Sequence, residues 1–285
     1  MSSGHQKLFS SFVLSVAFLS GCSNAGAKGL PGSLTYALSD TVYKLILDSG
    51  SRRSVFTHNT FILDGITRVS NGSLIISASS SPMLLVDRLS NATVLRDGSH
   101  PIYLPEAGKL FFYAARDKAS RLFMMELRTQ NTVEEIDEGP FTSAPPVVPI
   151  GDGKIVFERS VRFGQKLFLY DLAMKTKQPL PFSECRPEGW RAATDQLICF
   201  SFAASSIYLI SLDGTRHEEL PELKDRAIGP YIPDVDKLLV TRARLGCCPF
   251  GEHEDLMVYD FKDRSLKEVA QDVPVGNGTA YWEPN

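Results

Sequence analysis

A short hydrophobic run led by an aliphatic residue recurs six times along this 285-residue chain. The runs are SLTYALS, SLIISAS, KLFFYAA, KIVFERS, QLICFSF and KLLVTRA. Their leading residues are Leu34, Leu74, Leu110, Ile155, Leu197 and Leu238, so successive gaps are 40, 36, 45, 42 and 41 residues. Repeats of roughly 40–50 residues are the spacing of propeller blades. A unit of that size cannot bury both faces of a sheet by itself, so units must stack on one another around an axis.

The rest of each unit fits this reading. A second run follows each first one: YKLILD, MLLVD, LFMMEL, LFLYDL, IYLISL and LMVYDF. Polar hairpin segments such as RLSNAT and AMKTKQ come next, then a short closing strand. Another short strand precedes the first run, as in ITRVSNG, PIYLPEAG, PVVPIGDG, WRAATD and PYIPDVD. Apolar residues do not recur at helical spacing over any long window, whereas short β-branched and aromatic runs cut by Gly, Pro, Asp and Asn mark strands and turns. With 43% hydrophobic and 22% charged residues, the chain can fill a large core without a staple. The first unit, Ser33–Thr57, lacks its own first strand. The tail AYWEPN aligns with IYLPEA and PYIPDV, and read circularly it runs on into GSLTYALS. The expected fold is all-β: a six-bladed propeller over residues 33–285, its ring closed by the C-terminal strand.

The segment PVVPIGDGKIVFERSVRFGQKLFLYDLAMKTKQPL resembles a blade of the TolB-like (PD40, WD40-like) β-propeller, and HPIYLPEAGKLFFYAARDKASRLFMMEL follows the same outline. The resemblance spans the chain after its N-terminal segment and implies a stand-alone propeller. No blade carries an intact Ser-Pro-Asp-Gly turn; Gly151-Asp152-Gly153-Lys154 and Pro233-Asp234 come nearest.

The N-terminus adds a second layer. An apolar run from Leu8 to Leu19 follows Lys7. It is shorter than the roughly 20 residues of a membrane-spanning helix and fits a secretory signal peptide. Leu19-Ser20-Gly21-Cys22 resembles the bacterial lipobox. That resemblance implies cleavage after residue 21 and acylation of Cys22, with palmitate-type chains as the membrane contact. Two or three acyl chains, at about 0.8 kcal/mol per buried CH₂, anchor a protein stably. Ser23 after the cysteine implies sorting to the outer membrane, with the protein facing the periplasm. Residues 1–21 are read as the signal peptide and 22–32 as a flexible tether of small residues.

Four more cysteines lie beyond. An oxidising compartment permits disulfides, and Cys185 with Cys199 is one pairing, worth about 3 kcal/mol in the chain-entropy model. Cys247 and Cys248 leave the connectivity open, since four cysteines allow three pairings. The loop RARLGCCPFGEHEDLMVY also holds Glu252, His253 and Glu254, but its spacing matches no zinc pattern. It is read as a contact surface, and no metal or cofactor is expected.

The acidic residues Asp48, Asp87, Glu126, Asp171 and Asp260, with Ser211 in the sixth slot, open hairpins, where Asp binds backbone two residues on. They are read as turn devices. No nucleophile elbow and no phosphate loop is present. The connections that rim the expected channel mouth supply Asp64, His100, Ser143, Arg186, Glu188, Arg226 and Asn277. They suit either a solvated rim or a polar ligand; His58, like His100, sits between blades where the connections rim the mouth, and His217 is read as solvated in a polar hairpin turn. Trp190 and Trp282 fall in innermost strands and are expected to pack between blades.

A net charge of −3 with interspersed signs gives no nucleic-acid footprint. The expectation is a monomeric, lipid-anchored scaffold that binds another envelope protein without catalysis. The alternative is a propeller enzyme, a glycan lyase or hydrolase, with its polar site at the mouth. Cys22→Ala should abolish lipid labelling and membrane fractionation. An unlabelled wild-type protein would remove the basis for the anchor.

Overall fold

A computed structural model describes residues 29–58, 62–78, 82–116, 119–130, 133–141, 144–161, 164–183, 185–201, 204–243, 254–273, 275 and 279–284. Blade 1 begins with β1 (Ser33–Leu38), β2 (Thr41–Ile46) and β3 (Arg52–Thr57). Blade 2 holds β4 (Leu63–Arg68), β5 (Leu74–Ala78), β6 (Pro82–Val86) and β7 (Ala92–Asp97). Blade 3 holds β8 (Ser99–Leu104), β9 (Lys109–Arg116), β10 (Ala119–Glu126) and β11 (Val133–Phe141). Blade 4 holds β12 (Val147–Gly151), β13 (Lys154–Val161), β14 (Gly164–Asp171) and β15 (Thr176–Ser183). Blade 5 holds β16 (Arg186–Arg191), β17 (Gln196–Ser201), β18 (Ser206–Ser211) and β19 (His217–Glu219). Blade 6 holds β20 (Ala227–Ile232), β21 (Lys237–Ala243), β22 (Glu254–Asp260) and β23 (Ser265–Ala270), and β24 (Ala280–Glu283) returns to blade 1.

Six four-stranded antiparallel sheets result, and one has the order β24-β1-β2-β3. The chain is thus a six-bladed β-propeller closed by pairing its last strand with its first. Leu34 pairs with Trp282 and Thr35 with Tyr281. The second strand of each blade is the most buried: Leu34, Tyr36, Leu110, Phe111, Ile155, Phe157, Leu197, Leu238 and Leu239 have no exposed surface. These repeat-leading residues fill separate clusters between neighbouring blades, because alternate side chains of one strand face opposite sheets. Acidic turn residues behave as turn devices in several blades. Asp87 Oδ1 accepts the Leu89 and Asn91 N–H groups at 2.8 and 2.9 Å, and Asp171 Oδ1 accepts that of Ala173 at 2.9 Å. In blade 5 the role passes from Ser211 to Asp213, which accepts the Thr215 N–H at 3.0 Å and the Ser211 hydroxyl at 2.6 Å.

The closure is reinforced by polar contacts. The Glu283 carboxylate accepts from Thr35 Oγ1 at 3.2 Å and Lys44 Nζ at 3.0 Å, and Arg68 of blade 2 pairs with it. Part of the expected tether belongs to the ring. Leu30 is buried in the cluster between blades 6 and 1, and Trp282 Nε1 donates to Pro31 O at 3.0 Å. Gly32 has φ +84°, and a Cβ there would strike the Glu283 carbonyl oxygen and lie 2.6 Å from Trp282 Nε1, so only glycine fits.

Burial raises the Glu283 pKa, but hydrogen bonds from Lys44 and Tyr281 and the charge of Arg68 outweigh it and leave the pKa below its usual value. A carboxylate depressed in the fold contributes stability above its unfolded pKa of about 4.3 and loses it as pH falls through the folded value. Glu283→Gln should therefore lower stability at pH 7 by about 2 kcal/mol, a loss that shrinks below pH ~4. Deleting residues 281–285 should lower the melting temperature far more. Melting curves of both variants test the closure, and unchanged curves would refute it.

Candidate functional site

The first residues of the innermost strands meet at one end of the ring. There the ladder between first and second strands is broken by bulges. In blade 2, Leu63 pairs with Ala78 and Gly65 with Ser77, so the register shifts at Asp64. In blade 5, Pro187 pairs with Cys199 and Gly189 with Ile198, so the register shifts at Glu188. In blade 3, His100 and Pro101 form the irregularity between the Ser99 and Ile102 pairs. Bulges redirect side chains, and here they coincide with three of the residues expected at the mouth. His100 also has φ +52°, an uncommon value for a non-glycine residue.

Neighbouring blades lock these residues together. Ser77 Oγ donates to Asp64 Oδ1 at 2.6 Å and accepts the His100 N–H at 3.1 Å. Gly65 allows the approach: a Cβ there would lie 2.6 Å from Ser77 Oγ and 2.8 Å from Pro101 Cδ. Arg186 Nε lies 3.0 Å from Glu188 Oε1, and the Glu188 side chain is only 8% exposed. Cys185, directly before Arg186, is joined to Cys199 by a disulfide with Cα atoms 5.3 Å apart, which fixes this end of blade 5.

The electrostatics extend the group. Burial lowers the His100 pKa, opposed by Asp64 and assisted by Arg186, so the ring is neutral at pH 7, and its Nδ1 is buried without a hydrogen bond. Glu158 of β13 also reaches the cluster. It is 4% exposed, its Oε2 has no hydrogen-bond partner, and burial pushes its pKa up to about 7, with Arg186 lowering it and Glu188 raising it. Tyr113 of β9 is raised well above its usual pKa, first by burial, then by Glu158 and Asp137.

Asp64, His100, Arg186 and Glu188 are therefore brought together. Arg226 stands apart: its backbone N–H binds Leu223 O at 3.2 Å, and its charge acts on neither His100 nor Glu158. Cys22, Ser143, Cys247, Cys248, Glu252, His253 and Asn277 lie outside the described residues. His58 donates its backbone N–H to Asp40 O at 2.7 Å, and His217 lies exposed with its ring 4.5 Å from that of Tyr208. Among the described residues no three His, Cys, Asp or Glu side chains are grouped to hold a metal ion, and no helix is long and apolar enough to cross a membrane.

Behind the mouth, the axis of the ring is an open cavity of about 380 Å³ lined by β12, β16, β20 and β24. Glu188 contributes its carboxylate; Trp190, Tyr231 and Trp282 supply aromatic walls. The two tryptophans also pack on clusters between blades 4 and 5 and between blades 6 and 1. Glu158 and Tyr113 escape a reading of the sequence because they continue an ordinary strand pattern. The Asp64-Gly65 and Glu188-Gly189 pairs were the available signal, since glycine inside a strand marks a bulge or a close approach.

Fold and site together define a propeller with a polar cluster at one mouth of its central channel. No protein-family model and no curated protein matches the chain. Solved structures do. TolB from Acinetobacter baumannii is similar with a TM-score of 0.70 and 13% identity, over 89% of this chain and 67% of that one. A putative TolB from Agrobacterium tumefaciens has a TM-score of 0.64 and 10% identity, over 90% of this chain and 100% of that one. A chain of a nidogen/laminin complex follows with 0.62 and 13%, over 87% and 96%. At these identities the likeness is one of fold, and the fold is the TolB-like six-bladed propeller.

Glu158 gives the site a measurable signature. A carboxyl raised in the fold holds its proton where the unfolded chain has lost it, so stability falls as pH rises from about 4.5 to 7. Glu158→Gln should stabilise the protein at pH 8 relative to pH 5 by about 2 kcal/mol. Arg186→Gln should raise the Glu158 pKa further, read by carbon NMR of labelled glutamate. A Glu158 resonance titrating near 4 would contradict the burial argument.

Proposed function

We propose that this protein is a lipid-anchored scaffold of the bacterial envelope that binds another protein at the mouth of its channel, without catalysis. The observation that carries the reading is the convergence of Asp64, His100, Arg186 and Glu188 from three blades on one concave end of a closed ring. Rigid strands hold these groups, and bulges and a disulfide hold their positions, which favours recognition by a preformed surface. The similarity to TolB structures supports a binding propeller at the level of fold. The chain enters the ring near Gly32, beside Glu283 at the far end of the innermost strand β24. An anchor at Cys22 would therefore hold the opposite face toward the outer membrane and leave the mouth turned to the periplasm.

One observation favours the second reading, an enzyme acting on a glycan or peptide. A carboxyl with a pKa of about 7 under the charge of an arginine is poised for general acid–base chemistry. The geometry offers Glu158 as the proton carrier and Arg186 as the charge clamp.

A photo-crosslinking residue placed at Ile62, exposed two residues before Asp64 at the mouth, and at Thr93, exposed on the outer strand of blade 2, separates the readings in native envelopes. The scaffold reading expects one protein partner captured from position 62, none from position 93, and capture retained in Glu158→Gln. No capture from the mouth, or equal capture from both positions, would overturn it.

A further inference from the structure

A second polar concavity lies away from the channel, along the outer strand of blade 3 beside blade 4. It is an open cleft of about 550 Å³ whose walls include Arg116, Arg121, Arg159, Lys177, Glu135 and Asp137. The cations are held by their heads. Glu135 pairs with Arg116 Nη1 at 2.5 Å and with Arg121 Nη1 at 2.6 Å. Asp137, whose side chain is fully buried, pairs with Lys177 Nζ at 2.5 Å and Arg159 Nη1 at 3.5 Å. Its other oxygen accepts the Gly139 N–H at 2.9 Å, so the carboxylate is itself fixed. Irregularities where β11 pairs with β10 bring both carboxylates to this wall.

Four cations thus line the cleft with two carboxylates, an excess of two positive charges. Lys166, which is not among the walls of the cleft, stands directly across the ladder from Arg159. Like charges facing each other across a strand pair are destabilising; the apolar cluster between the blades is filled by Phe111, Tyr113, Ile155 and Phe157, and Arg159 and Lys177 stand over the ring of Phe168 at its edge, 5.9 and 5.6 Å from the centroid. Arg159 Nε is buried without a hydrogen-bond partner. The arrangement therefore resembles a charge clamp more than a closed ion-pair network. Guanidinium forks and an ammonium, already oriented, suit a tetrahedral oxyanion. A phosphate monoester carries about −1.5 to −2 charges near pH 7, which matches the excess.

We infer that the cleft between blades 3 and 4 binds a phosphate group, through Arg116, Arg121, Arg159 and Lys177. The inference stands independently of the role of the channel mouth. The group can arrive on a soluble molecule or on a lipid headgroup, and the chemistry at the cleft is the same.

Calorimetric titration of the purified full-length chain in neutral detergent and low salt tests it, with inorganic phosphate and short-chain phosphatidic acid as probes. Saturable one-to-one binding is expected, weakened at least about tenfold by Arg116→Gln or Lys177→Gln and by added salt. The Arg116 and Lys177 side chains are 59% and 31% exposed, and melting curves verify that both variants fold. Arg53→Gln, which removes one positive charge beside the seam of blades 1 and 2, should leave the affinity unchanged. Equal affinity for both probes identifies a soluble phosphate compound; tighter binding of phosphatidic acid identifies a lipid headgroup. Absence of saturable binding by either probe, or equal weakening by Arg53→Gln, would overturn the proposal.

Discussion

Every blade of a ring depends on the one place where the ring is joined. An open propeller would expose two unpaired strand edges, the inner edge of β1 and the edge of β24, each a template for unwanted pairing. The antiparallel register between these two strands removes both at once. The join is secured from three sides. Backbone pairing fixes register, Gly32 lets the entering chain lie against Glu283, and the Glu283 carboxylate gathers Lys44 from blade 1 and Arg68 from blade 2. A carboxylate buried with two cations is costly to strand, so loss of the join would leave uncompensated charge as well as open edges. Because the channel is lined by innermost strands, including β24, its shape follows from the same join.

The mouth cluster rests on a different device. Regular antiparallel pairing would point successive side chains alternately to the two faces of a blade, into the apolar seams. A register shift at a bulge breaks that alternation, and three of the six innermost strands place a charged or titratable residue there. The surrounding contacts stop the strained geometry from relaxing: Ser77 bridges Asp64 to the His100 backbone, and the Cys185–Cys199 disulfide fixes the approach to Arg186. Strained backbone maintained by neighbouring contacts is common where side chains act on something outside the fold.

The ring was legible in the sequence because its physics is periodic. Leu34, Leu74, Leu110, Ile155, Leu197 and Leu238 lead the buried strands, and their spacing gives the blade count directly. The tail was legible for the same reason, as the missing member of a periodic set. Asp64, His100, Arg186 and Glu188 could be named because each starts an innermost strand, and a strand start can be read from a turn. Arg226 satisfied that rule and still stands apart, since starting a strand does not fix where a long side chain ends. Glu158, Tyr113 and Asp137 could not be named. Glu158 and Tyr113 occupy second strands at positions where an apolar residue would serve, and only the stacking of neighbouring blades brings them near other charges. The 22–32 tether reading turned on composition, and composition does not register that Leu30 fits a gap between blades 6 and 1.

Blades 3 and 4 bring both polar regions into one frame. Innermost strands of adjacent blades pack against each other around the ring, least between β8 and β12, where the contact shifts outward to β11 and β13. The outer packing is apolar at its centre, with Phe111, Phe157 and Phe168, and charged at its margin. Tyr113 stands within reach of the fields of both Glu158, at the mouth, and Asp137, at the cleft. In a low-dielectric seam such fields are weakly screened, and both carboxylates act with burial to keep the Tyr113 phenol neutral. An anion settling among Arg159 and Lys177 would relieve the demand those cations place on Asp137.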